Sequence, residues 1–299
     1  MAGANPAVAF IGFGEAGQAI AAGLHESGVT TVAAWDILFP EPAGERLKQA
    51  AHVIGVRVAA SAADAVKGAD LIISAVTAAS SLDAARSVAG QLRDRPLFLD
   101  INSVSPGRKQ DTATLLGDAA RYVDVAVMGP IHPARHRTPM LLAGPAVEAA
   151  EAVMQGIGMQ VAVAGPDIGA AAAVKMVRSV MIKGIEALTM ECFLAASRAG
   201  VEEAVIQSLS KTYPTLDWPK IIEYNLERMA SHGARRAAEM EEVADTLREL
   251  GVEPLMASAT VKRQREMGDL GKHRSIRDAL PQGRSVTLRA ISAAAKDRH

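Results

Sequence analysis

Short apolar runs alternate with amphipathic stretches through the first half of the chain, and that alternation predicts strands and helices in turn. Ala7-Val8-Ala9-Phe10-Ile11 is apolar on both faces, as a strand inside a parallel sheet must be. Further strands are predicted at 32–35, 56–58, 70–76, 97–101, 122–127, 140–143 and 160–164, with helices at 18–24, 41–51, 62–67, 81–92 and 146–156. Such alternation predicts a doubly wound, mostly parallel sheet of the α/β class. Ligands of these sheets bind beyond the carboxyl ends of the strands, which gathers residues 74–77, 102–106 and 128–130 around one site.

At Gly165-Pro166-Asp167 the pattern changes. From Ile168 to Ala199 there is no strand signal and no proline; Asp167 can cap the start and Gly200 can end it. A helix of that span would run about 48 Å, too long for a crossover, so it predicts the spine of a second, all-helical domain. Helices follow at 202–209, 220–229, 234–250, 255–267 and 285–295. The expected division is 1–165 for the sheet domain and 166–299 for a helical substrate and dimerisation domain. Val177, Val180, Met181, Leu188, Phe193 and Leu194 cover more than one side of the spine, so a partner surface is expected on it.

The first strand runs directly into Gly12-Phe13-Gly14-Glu15-Ala16-Gly17. A lone GxGxxG is weak evidence, but here a strand precedes it, a helix follows it, and a second apolar run ends in Asp36. Gly12 permits the tight turn, Gly14 lets backbone approach a pyrophosphate, and Gly17 lets helix and strand pack closely. The helix N-terminus offers free N–H groups to phosphate, and Asp36 is placed to accept from ribose hydroxyls. A dinucleotide site is the reading; the alternative is a glycine-rich turn in some other α/β protein. A carboxylate at Asp36 favours NAD, because it repels a 2′-phosphate, while Arg46 and Lys48 keep NADP as the alternative.

Composition narrows the class without changing it. A formal net charge of −1 gives no signal for nucleic acid or an anionic membrane. The single cysteine, Cys192, excludes an intrachain disulfide and fits a reducing compartment. No uncharged apolar run is long enough to span a bilayer, and the first strand leaves no room for a signal peptide, so a soluble cytoplasmic protein is expected. No HxxxH or HExxH pair and no cysteine cluster is present, so no metal is expected. Met176, Met181 and Met190 read as core filling, and Trp218 and Tyr224 as packing ahead of pocket lining.

Lys175 stands on the spine behind an alanine-rich segment that would partly desolvate its ammonium. Ser179 and Glu186 fall on the same helical face, within about 40° of it. A lysine beside a nicotinamide could take a proton from an alcohol as hydride leaves. The equal alternative is a surface lysine snorkelling from an apolar helix.

With these motifs in order, the chain resembles the β-hydroxyacid dehydrogenases, the superfamily of 3-hydroxyisobutyrate and 6-phosphogluconate dehydrogenases, and within it the branch with a C-terminal domain of unknown function. Gly12, Gly14 and Gly17 match the cofactor motif, Lys175 falls at the family's catalytic lysine, and Glu191 at a glutamate of the same helix. Asp100-Ile101-Asn102-Ser103-Val104-Ser105-Pro106 corresponds to the Asp-x-Ser-Thr-x-x-Pro segment near nicotinamide and substrate. Asp124-Val125-Ala126-Val127-Met128-Gly129-Pro130 corresponds to Asp-x-Pro-Val-Ser-Gly-Gly, which holds the substrate carboxylate. The resemblance implies hydride transfer between NAD(P) and a 3-hydroxy acid, with Lys175 as general acid/base, Ser179 orienting it, and a homodimer formed through the helical domain. It also implies cofactor contacts at Phe13, Glu15, Ala16, Val76, Thr77 and Asn102 and substrate contacts at Ser103, Met128, Gly129 and Pro130.

Departures bear on the substrate. Met128 and Pro130 replace a serine and a glycine, Ser179 replaces an asparagine, and Glu239-Met240 stands in place of a Lys-Asp pair. Cationic groups that could replace the lost contacts are Arg135, His136 and Arg137 after the altered loop, Arg178 near Lys175, and His232, Arg235 and Arg236 in the helical half. They suggest a small anionic substrate, against the alternative of solvated surface charge. Imine reduction and non-catalytic dinucleotide binding are the other functions weighed.

Overall fold

The computed structural model describes residues 5–296. Its strands are β1 Val8–Ile11, β2 Val32–Trp35, β3 Arg57–Val58, β4 Leu71–Ser74, β5 Leu97–Asp100, β6 Arg121–Val127, β7 Met140–Ala143 and β8 Val161–Gly165. They form one sheet in the order β3-β2-β1-β4-β5-β6-β7-β8, parallel except between β6 and β7. The order reverses direction at β1, so the crevice between the carboxyl ends of β1 and β4 is the place for a ligand.

Both faces of β1 are buried, which is why its sequence is apolar without alternation. Val8 and Phe10 join a core with Ile20 and Leu24 of α1 (Glu15–Glu26), Ala51 of α2 (Glu45–Ile54) and Met154 of α6 (Val147–Gly156). Ala9 and Ile11 join the opposite core with Ala65 of α3 (Ala62–Val66), Val88 of α4 (Ser81–Ala89) and Leu116 of α5 (Pro106–Leu116). Burying one such Phe or Leu contributes about 1.5–3 kcal/mol. The doubly wound α/β expectation holds. Helix α5 is an addition: Ser105 caps it, its Oγ accepting from Arg108 N at 3.4 Å, and Pro106 opens its first turn.

The chain divides into two compact units, Met1–Met176 and Val177–His299. The division falls within the spine helix α7 (Ala170–Ala199), so Lys175 belongs to the first unit. The second unit is helical throughout its described residues, adding α8 (Glu202–Thr212), α9 (Trp218–Glu249), α10 (Leu255–Leu270), α11 (Arg274–Ala279) and α12 (Arg284–Lys296). Phe193, Leu226, Met229, Met267, Ile276, Leu288 and their neighbours form its core. The two helices expected at 220–229 and 234–250 are one unbroken helix, α9. Gly233 lies at the expected break but serves packing: a Cβ there would sit 2.4 Å from Gln264 O and 2.5 Å from Gly268 N, so α10 presses directly on the α9 backbone.

Candidate active site

The glycine loop has the shape its sequence demands. Gly12 has φ of +92°, and a Cβ there would lie 2.4 Å from Ala75 O. A Cβ on Gly17 would lie 2.7 Å from Gly12 O, so helix α1 and the turn could not close as they do. Gly14 faces open space, and no side chain caps the α1 N-terminus that follows it. A phosphate can therefore approach the loop backbone and the helix end together. Asp36 braces the loop: its Oδ2 accepts from Phe13 N at 2.8 Å and its Oδ1 from Leu38 N at 3.0 Å. Each oxygen keeps a lone pair for a ribose hydroxyl. These residues fit a dinucleotide. Phe13 offers only backbone, since its ring is buried against Phe10 and Phe39.

Across the crevice, Asn102 is buried and its side chain is hydrogen-bonded through both amide heavy atoms. Its Oδ1 accepts from Val76 N at 2.7 Å and its Nδ2 donates to Ser74 Oγ at 2.9 Å. It fixes the turn at Val76, and its amide keeps a second N–H and a second lone pair beyond those two bonds. Thr77 is exposed, its hydroxyl 3.0 Å from that of Ser80.

The next residue, Ser103, meets Lys175. Lys175 Nζ donates to Ser103 Oγ at 2.6 Å, which places an amine beside a hydroxyl at the carboxyl edge of the sheet. Lys175 is half-buried, and its amine is tied to Ser103. Met128 lies at the same edge, packed partly buried against Ala126, Ala143 and Ala171, with Gly129 and Pro130 exposed beyond it.

Beneath that pair is a cluster that sequence reasoning missed. Lys109, on α5, is 1 % exposed, and its Nζ lies 3.1 Å from Asp100 Oδ1, 3.5 Å from Asp124 Oδ1 and 2.6 Å from Asp100 O. Asp100 and Asp124 are register partners on β5 and β6, both fully buried. Tyr122 Oη donates to Asp100 Oδ2 at 2.9 Å, and burial, reinforced by the Asp100 and Asp124 charges, pushes its phenol well above the ordinary tyrosine value. The available signal was two aspartates inside apolar strand runs, which demand a buried cation.

The basic residues expected to bind substrate go elsewhere. Arg135 pairs with Glu26, and His136, buried, bonds Ser27 Oγ through Nε2 at 2.9 Å. Both partners lie at the C-terminal end of α1, a helix about 18 Å long whose other end holds the glycine loop. The expectation for Arg135 and His136 is therefore corrected: attraction to the exposed helix end and a buried hydrogen bond hold them at the wrong pole for a substrate. Burial lowers the His136 pKa, with Arg137 adding to the effect and Glu26 opposing it.

In the second unit, Ser179 Oγ accepts from Lys183 Nζ at 3.2 Å, which leaves its O–H as a donor. Burial lowers the Lys183 ammonium below its ordinary value, opposed by Glu239 at 3.0 Å. Arg236 is also corrected: it is buried and forks onto Glu186, which further accepts from Gln264 at 2.8 Å. Arg235 pairs with Glu239 on the surface, Glu191 with Arg263 at 2.6 Å, His232 is half-buried, and Arg178 is exposed. Among the described residues no group of His, Cys, Asp and Glu is arranged to hold a metal.

A conserved hypothetical protein from Sinorhizobium meliloti 1021 is similar over 97 % of both chains, at 34 % identity and a TM-score of 0.78. The conserved protein MTH1747, of unknown function and described as structurally similar to 3-hydroxyacid dehydrogenases, is 30 % identical over 88 % of this chain and 96 % of its own, with a TM-score of 0.70. Residues 7–103 match the family profile "NADP oxidoreductase coenzyme F420-dependent", and residues 196–267 match a domain of unknown function, DUF1932. The chain belongs to the β-hydroxyacid dehydrogenase superfamily. That superfamily is one of NAD(P)-dependent oxidoreductases, and its fold is seen again in the 3-hydroxyisobutyrate dehydrogenase of Mycobacterium tuberculosis, 17 % identical over 98 % of this chain and 99 % of that one, with a TM-score of 0.73. Within that superfamily fold the chain carries its glycine loop and its Ser103–Lys175 pair at the same edge of one sheet.

Proposed function

We propose that the protein transfers hydride between NAD and a small anionic hydroxy acid of the 3-hydroxy type, with Lys175 as general acid/base. The observation that carries this reading is the 2.6 Å hydrogen bond from Lys175 Nζ to Ser103 Oγ. Bound NAD would supply the hydride acceptor. Lys175 Nζ would take the proton of the substrate hydroxyl as the carbinol C–H bond breaks, leaving a ketone, and would return it in the reverse direction. The Ser103 hydroxyl would hold that amine and the substrate oxygen in one line. Asp36, with Ile37 and Leu38 after it and no arginine, supports NAD over NADP.

Support for an anionic substrate now rests on Arg178, exposed and about 60° around the helix from Lys175. The exposed apolar positions on α7, Met181 and Leu188 foremost, support a homodimer formed through the second unit.

Nicotinamide absorbance would be followed with a panel of 3-hydroxy acids and cyclic imines, using NAD and NADP on wild type and Lys175→Ala. The expected result is turnover of a hydroxy acid with NAD that falls at least 100-fold in the variant while NADH binding is retained, since acid–base catalysis contributes about 10²–10⁴-fold. Turnover of imines alone, or equal turnover by the variant, would overturn the reading.

A further inference from the structure

Lys109 is the only ammonium placed between two buried carboxylates among the described ion pairs, and each carboxylate has a second task. Asp100 Oδ1 also accepts from Asn102 N at 3.0 Å, so it fixes the turn that presents Ser103. Asp124 Oδ2 accepts from Gly169 N at 3.2 Å and Ala172 N at 3.0 Å, so it caps the first turn of the helix that presents Lys175. The remaining oxygen of Asp124, Oδ1, is buried and meets no hydrogen-bond donor other than the Lys109 charge 3.5 Å away.

We propose that Lys109 is a positioning residue: by holding Asp100 and Asp124 together it sets the Ser103 turn and the start of α7 in register, and so aligns Ser103 Oγ with Lys175 Nζ. The proposal rests on the oxidoreductase reading for its catalytic consequence, and on geometry alone for the alignment. Lys109 touches neither reacting group. Its effect is transmitted through two short rigid links, one at the end of β5 and one at the first turn of α7. Catalytic groups tolerate misplacement of only about 0.5 Å, so a clamp acting on both carriers is felt at the pair. Here the cation is shared between the two strands that lead to the two sides of the pair.

Lys109→Met alone would leave two buried carboxylates without a counter-ion, and is the variant at risk of not folding. Lys109→Met combined with Asp124→Asn removes one cation and one of two anions, so the buried charge is unchanged. The amide oxygen introduced at 124 still accepts from Gly169 and Ala172. In the folded double variant, Lys175 would be acetylated with trace acetic anhydride and its rate read by peptide mass spectrometry against the exposed Lys220. The expected result is a change of at least threefold in the Lys175 rate, kcat lowered tenfold or more, and KM and NADH affinity within twofold of wild type.

A Lys175 rate within threefold of wild type would overturn the proposal whatever turnover does. So would an altered rate with kcat held within twofold. An altered rate in a protein whose wild type turns over no hydroxy acid would support the alignment and count against the oxidoreductase reading, so the two failures are distinguishable.

Discussion

His136 shows how one residue's surroundings set its chemistry. A Cβ on Gly23 would lie 2.1 Å from its Nδ1, and that nitrogen is buried with no hydrogen-bond partner, while Nε2 is used by Ser27. Burial first, and then the Arg137 charge, hold the folded pKa below the ordinary value of 6.5, and protonation would also put a second N–H where nothing accepts it. The unfolded chain then binds more protons than the folded one between the two values, and stability falls as pH falls through that window. Thermal melts from pH 7.5 to 5.5 should show a steeper loss of Tm for wild type than for His136→Gln, which keeps a donor for Ser27 and cannot charge. Parallel slopes would remove His136 from the acid limb. Such a residue looks like a ligand-binding histidine in sequence, because its neighbours Arg135 and Arg137 are visible there and its packing against α1 is not.

Among the elements, α9 makes the sharpest claim. Ala is the better helix former, by roughly 1 kcal/mol over Gly, yet Gly233→Ala should destabilise the protein because the added methyl meets α10 backbone at 2.4 Å. The expected cost is about 1–3 kcal/mol net, read as a lowered urea midpoint with an unchanged m-value. A midpoint at or above wild type would show that α10 retreats freely.

The same contact explains what the sequence left unread. The sheet was legible because its buried strands carry apolar runs without alternation, as in Leu97-Phe98-Leu99, and the glycine loop because Gly12 and Gly17 are required by steric contact with backbone. Long-range packing leaves no comparable local mark. Gly233 reads as a helix break until α10 is known to press on it, and Lys109 reads as a solvated helix charge until Asp100 and Asp124 are known to face it. At the site, the cofactor loop and Ser103–Lys175 were legible as motifs, whereas the partners of Arg236 and Asn102 are set by tertiary contacts.

For the whole molecule, the exposed apolar surface of the second unit is the main prediction. Met181 is 64 % and Leu188 57 % exposed on α7, and a homodimer would cover them. Met181→Glu with Leu188→Glu should halve the mass seen by sedimentation equilibrium, while far-UV circular dichroism stays unchanged. A wild type that sediments as a monomer at micromolar concentration would remove the dimer.

Among the described residues no helix is long and apolar enough to cross a membrane. The boundary between the units has a consequence for building chimeras. A recombinant fragment stopped where the sheet stops, at Gly165, would lack Gly169 and Ala172 and so leave the Asp124 carboxylate of its own core short of two donors. It would also lack Lys175. The cofactor module is therefore a cassette whose natural cut lies inside a helix, after Met176, and a domain swap made at the end of the last strand would transplant the nucleotide cradle without the two backbone donors that satisfy a carboxylate of its own core.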